Sequence, residues 1–520
     1  MFYTLTNCST LQRCVKQESP VRIKKYPPYA GCLIRQIGGR QLNARKNTLY
    51  NVAYRVFSIF LPLVTAPYIA RTCGQTGVGT YAHAWNISYI FVLIGTLGLE
   101  NYGVRAISRV RDNPRELNHT FSAIWRMQRI VAFATLIVWF GYVAFVAGEE
   151  KTIALSLSMM SISCLVNLDW CLMGLDQFRP IAVRNTCVKL LAAACVFLFI
   201  HGPEDLWVYG FAWSLATLLG CLSCMFSLRG RVHLERVTLK DAFQHFPPCA
   251  YLFVSVIAVS VYRTMDKVMV GSIAGMAQNG LYENAEKIIY CLSGFISAFG
   301  NVMMPRASHL LSTGKEDEIL RTMELSMHLV MCMVCAMAFG ILAVADRFTP
   351  LFYGNDFLPS ADLMIPLSFS LLMIGFANVI RMQWILPHAN DRIVIRSVLS
   401  GACVNLIVNF ALIPSLGAMG AVIGTLFAEL TVPLVQYLHL KKTLPYSRYL
   451  KTLLVYCLIG FIMYLAVHFL ALLFPANTWG TLFVLVLAGG VIYGILCLTY
   501  WHVGHVQILA RLLPEKFRKH

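Results

Sequence analysis

Three charged residues sit close together in the apolar stretch V-Y-R-T-M-D-K-V-M-V-G, residues 261–271: Arg263, Asp266 and Lys267. On a helix they stand at i, i+3 and i+4, and so face the same way. Asp266 can neutralise only one of the two cations, which leaves a positive charge over. An ionised side chain at the centre of a bilayer costs roughly 2.5–3.5 kcal/mol on insertion scales, so a surplus cation there must point at water, a lipid headgroup or an anion. Arg offers a planar fork of donors to phosphate oxygens and Lys a point charge, so a pyrophosphate is an anion of suitable kind. Arg55, Lys287 and Arg381 also lie inside apolar stretches. Together Arg55, Arg263, Lys267, Lys287 and Arg381 make a candidate substrate-binding, cationic cavity, with Asp266 as the charge-pairing residue. Lys267 is roughly 6 Å of helix rise from Gly271, so snorkelling to the membrane surface is the competing reading for it.

Other constellations carry less chemistry. Cys221 and Cys224, and Cys332 and Cys335, have C-x-x-C spacing inside apolar runs, with no second pair or His placed to complete a tetrahedral metal site. His502 and His505 form an isolated H-x-x-H. Asp169 and Trp170 suit packing or interface anchoring. No paired-carboxylate or nucleophile arrangement stands out, so no catalytic residue, metal or cofactor is expected. Sugar recognition would use scattered Asn, Gln, Tyr and Trp, which helix position alone does not single out.

The elements that must hold these residues are membrane spans. The 520 residues are 58% hydrophobic and 13% charged, with a mean hydropathy of +0.63, whereas soluble proteins carry about 25% charged residues. Apolar runs of about 20 residues, each enough to cross a hydrocarbon core, recur almost to the C-terminus. Fourteen helices are predicted, over 48–70, 81–100, 124–147, 152–173, 181–200, 206–227, 248–271, 283–304, 324–345, 359–386, 396–413, 418–438, 451–473 and 479–500. With both termini cytoplasmic, only Arg71, Lys151 and Arg347 of the 43 Lys and Arg fall in external segments, as the positive-inside rule requires. The net charge of +18 therefore reflects membrane topology, since basic nucleic-acid binders concentrate charge on a soluble face. Residues 1–46 are basic, broken by Pro and Gly, and lack the apolar core of a signal peptide. They read as a disordered cytoplasmic arm.

Sliding the sequence by 201 positions places Gly74 on Gly275, Gly79 on Gly280, Tyr81 on Tyr282, Ala84 on Ala285, Arg105 on Arg306 and Ala106 on Ala307. Six spans separate the copies, so both cross in the same direction. That is the parallel kind of transporter repeat, with a substrate site between two lobes. The expected division is a lobe over 47–246, a second over 247–450, and two further helices with a basic tail over 451–520.

The stretches N-T-L-Y-N-V-A-Y-R-V-F-S-I-F-L-P-L-V-T-A-P-Y-I-A-R-T-C-G from residue 47, N-L-D-W-C-L-M-G-L-D-Q-F-R-P from 167, Y-R-T-M-D-K-V-M-V-G from 262 and G-A-C-V-N-L-I-V-N-F-A-L-I-P-S-L-G from 401 resemble bacterial O-antigen and polysaccharide repeat-unit flippases of the multidrug/oligosaccharidyl-lipid/polysaccharide exporter superfamily. The resemblance covers roughly residues 45–440. It implies an all-α polytopic fold of two six-helix lobes plus two C-terminal helices, around a cavity open alternately to either side. It implies as substrate an oligosaccharide on undecaprenyl pyrophosphate, moved across a bacterial inner membrane. Membrane lipids, a polysaccharide polymerase and a chain-length regulator are the partners it implies, and nucleic acid is not among them. C-G-Q-T-G at 73–77 departs from the Leu-Gly pair expected there.

Two rival readings remain. A cation-coupled multidrug antiporter of the same superfamily needs an acidic cavity, whereas the basic residues counted in these spans favour an anionic cargo. A membrane polysaccharide polymerase usually displays a large external loop, and every external loop here is short.

Overall fold

The computed structural model describes the backbone of residues 29–503, and side chains from residue 61 onward except 62, 149, 254–256, 258–259, 261–263 and 503. Residues 1–28 of the expected arm lie outside the described residues. Residues 1–53 and 54–520 are two separate units, and the helical bundle is the second.

The α-helices are α1 (Tyr29–Thr96), α2 (Leu99–Val110), α3 (Pro114–Phe145), α4 (Lys151–Ser156), α5 (Ser158–Ser163), α6 (Asp169–Gly174), α7 (Phe178–Phe199), α8 (Leu206–Leu228), α9 (Leu239–Phe243), α10 (Phe246–Ala274), α11 (Met276–Ser312), α12 (Glu316–Phe352), α13 (Pro359–Ser368), α14 (Ser370–Ile380), α15 (Asp391–Leu416), α16 (Ala418–Leu440), α17 (Tyr446–Leu472) and α18 (Trp479–Val503). Each predicted span meets helix in order, and among the described residues eleven helices are long and apolar enough to cross a membrane. The fold is all-α and polytopic. The first span reaches back to Tyr29, well before the apolar run begins.

Repeat symmetry shows directly in the backbone. Gly74, where α1 kinks between the first two spans, has φ 65° and ψ −178°. Gly275, its repeat mate between α10 and α11, has φ 95° and ψ 163°. An L side chain rarely adopts either conformation, so the repeat keeps glycine at both turns. α15 and α16 form a close hairpin because Gly420 and Gly424 lie against Leu412 and Asn409, the small-x-x-x-small spacing that lets membrane helices approach.

The fourth span corrects the sequence expectation of one helix over 152–173. It is broken into α4, α5 and α6, with residues 164–168 outside helix. Freed carbonyls in a membrane need partners, and α3 supplies them. Gln128 Nε2 donates to the carbonyls of Cys164 (2.7 Å) and Asn167 (2.8 Å). Trp125 Nε1 donates to Leu165 (3.0 Å), and Asn167 Oδ1 accepts from the Asp169 amide (3.1 Å). Trp170 returns a bond to Gln128 Oε1 (2.9 Å) and lies on Gly103 of α2, where a Cβ would come within 2.6 Å of the indole. Asp169 holds Arg184 of α7 through two bonds of 2.6 and 2.7 Å, so the packing role expected of Asp169 and Trp170 has an ion pair within it. The second span also breaks, at Leu97 (φ 46°) and Gly98 (φ 65°), rather than continuing to 100 as predicted.

Gln128→Leu should orphan the carbonyls of Cys164 and Asn167 while filling similar space. At about 1–3 kcal/mol for each unpaired group, it should lower the thermal unfolding midpoint of the detergent-purified protein.

Candidate functional site

The two repeat copies meet at the end of the molecule that carries Gly74 and Gly275. A Cβ on Gly79 would collide with the carbonyl of Met276, and one on Gly280 with the carbonyl of Gln75. Gly79 and Gly280 are repeat mates, as are Gln75 and Met276, so the contact is related to itself by the pseudo-symmetry. Asn279 Nδ2 donates across it to the carbonyl of Gly79 (2.9 Å). Beside it His83, 7% exposed, bonds through Nδ1 to Glu150 Oε2 (2.8 Å) and through Nε2 to Ser272 Oγ of α10 (2.9 Å). These residues line a cavity of about 390 Å³ with Thr76, Thr80 and Tyr142. This end is closed by backbone packed against backbone, with a histidine clasp at its flank.

The charged residues lie deeper along α10 and α11. Lys267 Nζ is 2.9 Å from Glu283 and 2.7 Å from Glu286, and Lys287 reaches Glu283 at 3.4 Å. The side chains of Lys267, Glu283, Glu286 and Lys287 keep 17%, 16%, 24% and 26% of their surface exposed, in that order. The expectation that Lys267 and Lys287 offer unbalanced positive charge is therefore corrected. Lys267 neither snorkels nor stands free, because the first turns of α11 present carboxylates to it. The sequence carried the signal in Y-E-N-A-E-K, where Glu283 and Lys287 stand at i, i+4. Starting the eighth span at 283 put both acids at its outer end, although α11 begins at Met276 and carries them two to three turns in.

Nor does Asp266 neutralise Lys267, which Glu283 and Glu286 hold. It points away from Lys267, one residue and about 100° further round the helix, and takes neutral partners instead. Tyr282 donates to it (2.9 Å), as do Thr425 (2.8 Å) and Asn409 Nδ2 (2.6 Å). Asp266, Tyr282, Asn405 and Asn409 are each at most 3% exposed, and Asn409 Oδ1 has no hydrogen-bond partner. A single carboxylate ringed by neutral oxygens is a set that could hold a proton or a hard monovalent cation. With Asp266 ionised, the described side chains here are three carboxylates and two ammonium groups, Arg263 of the same helix lying outside them.

Arg381 begins a π-helical turn, Arg381–Ile385, and is half-buried. Its neighbours Asn378 and Met382 lie on Gly300 of α11. Arg55 and Arg263 sit on α1 and α10, but their side chains lie outside the described residues. The clasp of His83 and Glu150 was missed, since residues 67 positions apart leave no local signal. Cys332 faces Cys497 (3.7 Å) and Cys335 faces Cys457 (3.9 Å), yet no group of three or more potential metal ligands gathers among the described residues.

Repeated bundles joined at a closed end above a buried charged cluster define a multi-span transporter. The chain belongs to the polysaccharide biosynthesis protein family, whose model matches residues 44–311, and the model of the lipid II flippase MurJ family matches residues 205–490. It is 20% identical over 396 residues to a protein of Escherichia coli (strain K12) named as an O-antigen transporter, covering 75% of this chain and 95% of that one. It is 23% identical over 284 residues to a Haloferax volcanii protein named as a low-salt glycan biosynthesis flippase, covering 54% of this chain and 60% of that one. A solved structure of the lipid II flippase MurJ in an inward closed conformation matches with a TM-score of 0.72 at 15% identity, over 88% of this chain and 99% of that one. An inward-facing multidrug resistance transporter of the MATE family matches with a TM-score of 0.55 at 14% identity, over 76% and 96% of the two chains. The fold is that of the exporter superfamily which the sequence resembles.

Lys267→Met leaves Glu283 and Glu286 without their shared cation. Breaking a buried pair from one side costs about 3–5 kcal/mol. The expected result is a lower unfolding midpoint, recovered in large part by Lys267→Met combined with Glu286→Gln. A lysine that served only to meet substrate would leave that midpoint unchanged.

Proposed function

We propose that this chain moves oligosaccharides linked to undecaprenyl pyrophosphate from the cytoplasmic to the outer leaflet of a bacterial inner membrane. The observation that carries the reading is the pair of family matches, to polysaccharide biosynthesis proteins and to lipid II flippases, which together span residues 44–490. In this reading the chain is a transporter and not an enzyme. Residues 47–246 and 247–450 act as two lobes, 451–520 supply the last two helices and the tail, and both termini are cytoplasmic. The end sealed by Gly79 and Gly280 then faces outward and the cargo enters from the cytoplasm. A polysaccharide polymerase and a chain-length regulator would act on the delivered unit.

Arg55 and Arg263 stay the proposed contacts for the pyrophosphate, because Lys267 and Lys287 are already engaged by the carboxylates of α11. The Asp266 cluster is the proposed seat of energy coupling, where binding and release of a proton or cation would alter how α10, α11, α15 and α16 pack. That cluster is also the feature that favours the second reading, a cation-coupled multidrug antiporter.

Cells lacking the chain should accumulate lipid-linked units on the cytoplasmic leaflet. Complementation by Arg55→Ala or Arg263→Ala should fail although both variants insert normally. Loss of one charge-assisted bond, about 1.5–3 kcal/mol, translates to roughly a 10- to 100-fold fall in flipping rate. Full rescue by both variants removes these two sites from the mechanism. Separately, Gly280→Val should prop the sealed end apart, so that a cysteine at Val78, buried beside Gly79, reacts faster with a membrane-impermeant thiol reagent added from outside.

A further inference from the structure

Four aromatic residues on the first-lobe side line up beneath the sealed end. Tyr81 and Trp85 on α1 have ring centroids 6.0 Å apart and nearly stacked planes. Tyr209 and Trp213 on α8 meet them, Tyr209 at 4.7 Å from Tyr81 and Trp213 edge-on at 5.5 Å from Trp85. All four are half-buried.

The facing wall is charged. Tyr81 follows Gly79 by two residues and Glu283 follows Gly280 by three, so the glycine contact that joins α1 to α11 sets these side chains at one depth. Glu283 lies within electrostatic reach of the hydroxyls of both Tyr81 and Tyr209. Lys267, Glu283 and Glu286 stand there in a paired cluster, each retaining some exposed surface. The repeat makes the division sharper, since position 85 is Trp where its mate 286 is Glu. One copy of the motif has become a ring and the other a carboxylate.

Rings opposite carboxylates and an ammonium group suit one class of molecule. A pyranose has a face of C–H bonds that stacks on an aromatic ring, and a rim of hydroxyls that donate to carboxylates and accept from cations. Fixed aromatic faces lose little conformational entropy on binding, and ion-paired groups keep their acceptors in place without adding net charge. We propose that Tyr81, Trp85, Tyr209 and Trp213, with Lys267, Glu283 and Glu286 opposite, form a subsite for sugar rings, separate from the groups that meet the pyrophosphate. The proposal rests on the reading that the cargo is a glycan on a lipid carrier, and it says which part of the cargo goes where.

The test uses the purified full chain in detergent and two probes, undecaprenyl pyrophosphate and the same carrier bearing an N-acetylhexosamine disaccharide, with affinity read by thermophoresis. Wild type should bind the sugar-bearing probe about tenfold more tightly, the scale of one good ring contact. Trp85→Leu and Trp213→Leu should bring that ratio close to one, whereas Trp213→Phe, which keeps a ring, should retain most of it and show that loss of the ring, not of the fold, is responsible. Equal affinity of wild type for both probes, or leucine variants that keep the wild-type ratio, overturns the subsite. Failure of wild type to bind either probe overturns the lipid-carrier reading itself, and the subsite with it.

Discussion

Hydrocarbon offers no water to a freed carbonyl or an ionised side chain, and the irregular parts of this protein follow from that constraint. Where the fourth span loses its helix, Gln128 and Trp125 from a neighbouring span take over the bonds that the helix gave up. Where Lys267 is carried into the interior, Glu283 and Glu286 accompany it. Asp266 has no described cation beside it, and four neutral side chains from three other helices gather around it. In these three places the departure from an apolar helix is matched by partners on other elements, so the polar groups also specify which helices pack together.

A second theme is repetition that has diverged. The two copies agree where the backbone is under demand, at the turns of Gly74 and Gly275 and at the contact of Gly79 with Gly280. They disagree in the side chains just inside that contact. Tyr282 is fully buried and bound to Asp266, whereas its mate Tyr81 keeps exposed surface and meets Tyr209. Glycine positions fix how the lobes close, and the side chains beneath them are free to differ because only one copy must serve any given part of an asymmetric cargo. Closure of this kind is reversible in principle, since it rests on close backbone approach and a few hydrogen bonds rather than on an interlocked apolar core.

Much of the fold was legible without coordinates. Fourteen apolar runs, the bias of Lys and Arg, and the offset that matches Gly74 to Gly275 are all properties of the chain read in order, and the helices observed follow that order. The site was less legible. Asp266 and Lys267 were singled out correctly as unusual, but their partners were assigned from the same helix. A helix turns about 100° per residue, so adjacent residues diverge and find different neighbours. The acids that hold Lys267 were visible in Y-E-N-A-E-K, but a span boundary drawn seven residues late put them at the outer end of the helix, and their contact with the preceding helix has no local signal.

By itself, then, the sequence determined that this is a membrane protein of many spans with an internal repeat, because hydropathy, charge bias and internal similarity are additive along the chain, and its resemblance to a family of glycan exporters came from four stretches read in order. Tertiary structure alone decided that Lys267 is neutralised from α11, that His83 and Glu150 clasp the sealed end with Ser272, and that four rings from α1 and α8 gather in one cluster. Those depend on which helix faces touch, and pairing between side chains on different helices leaves no trace in local spacing.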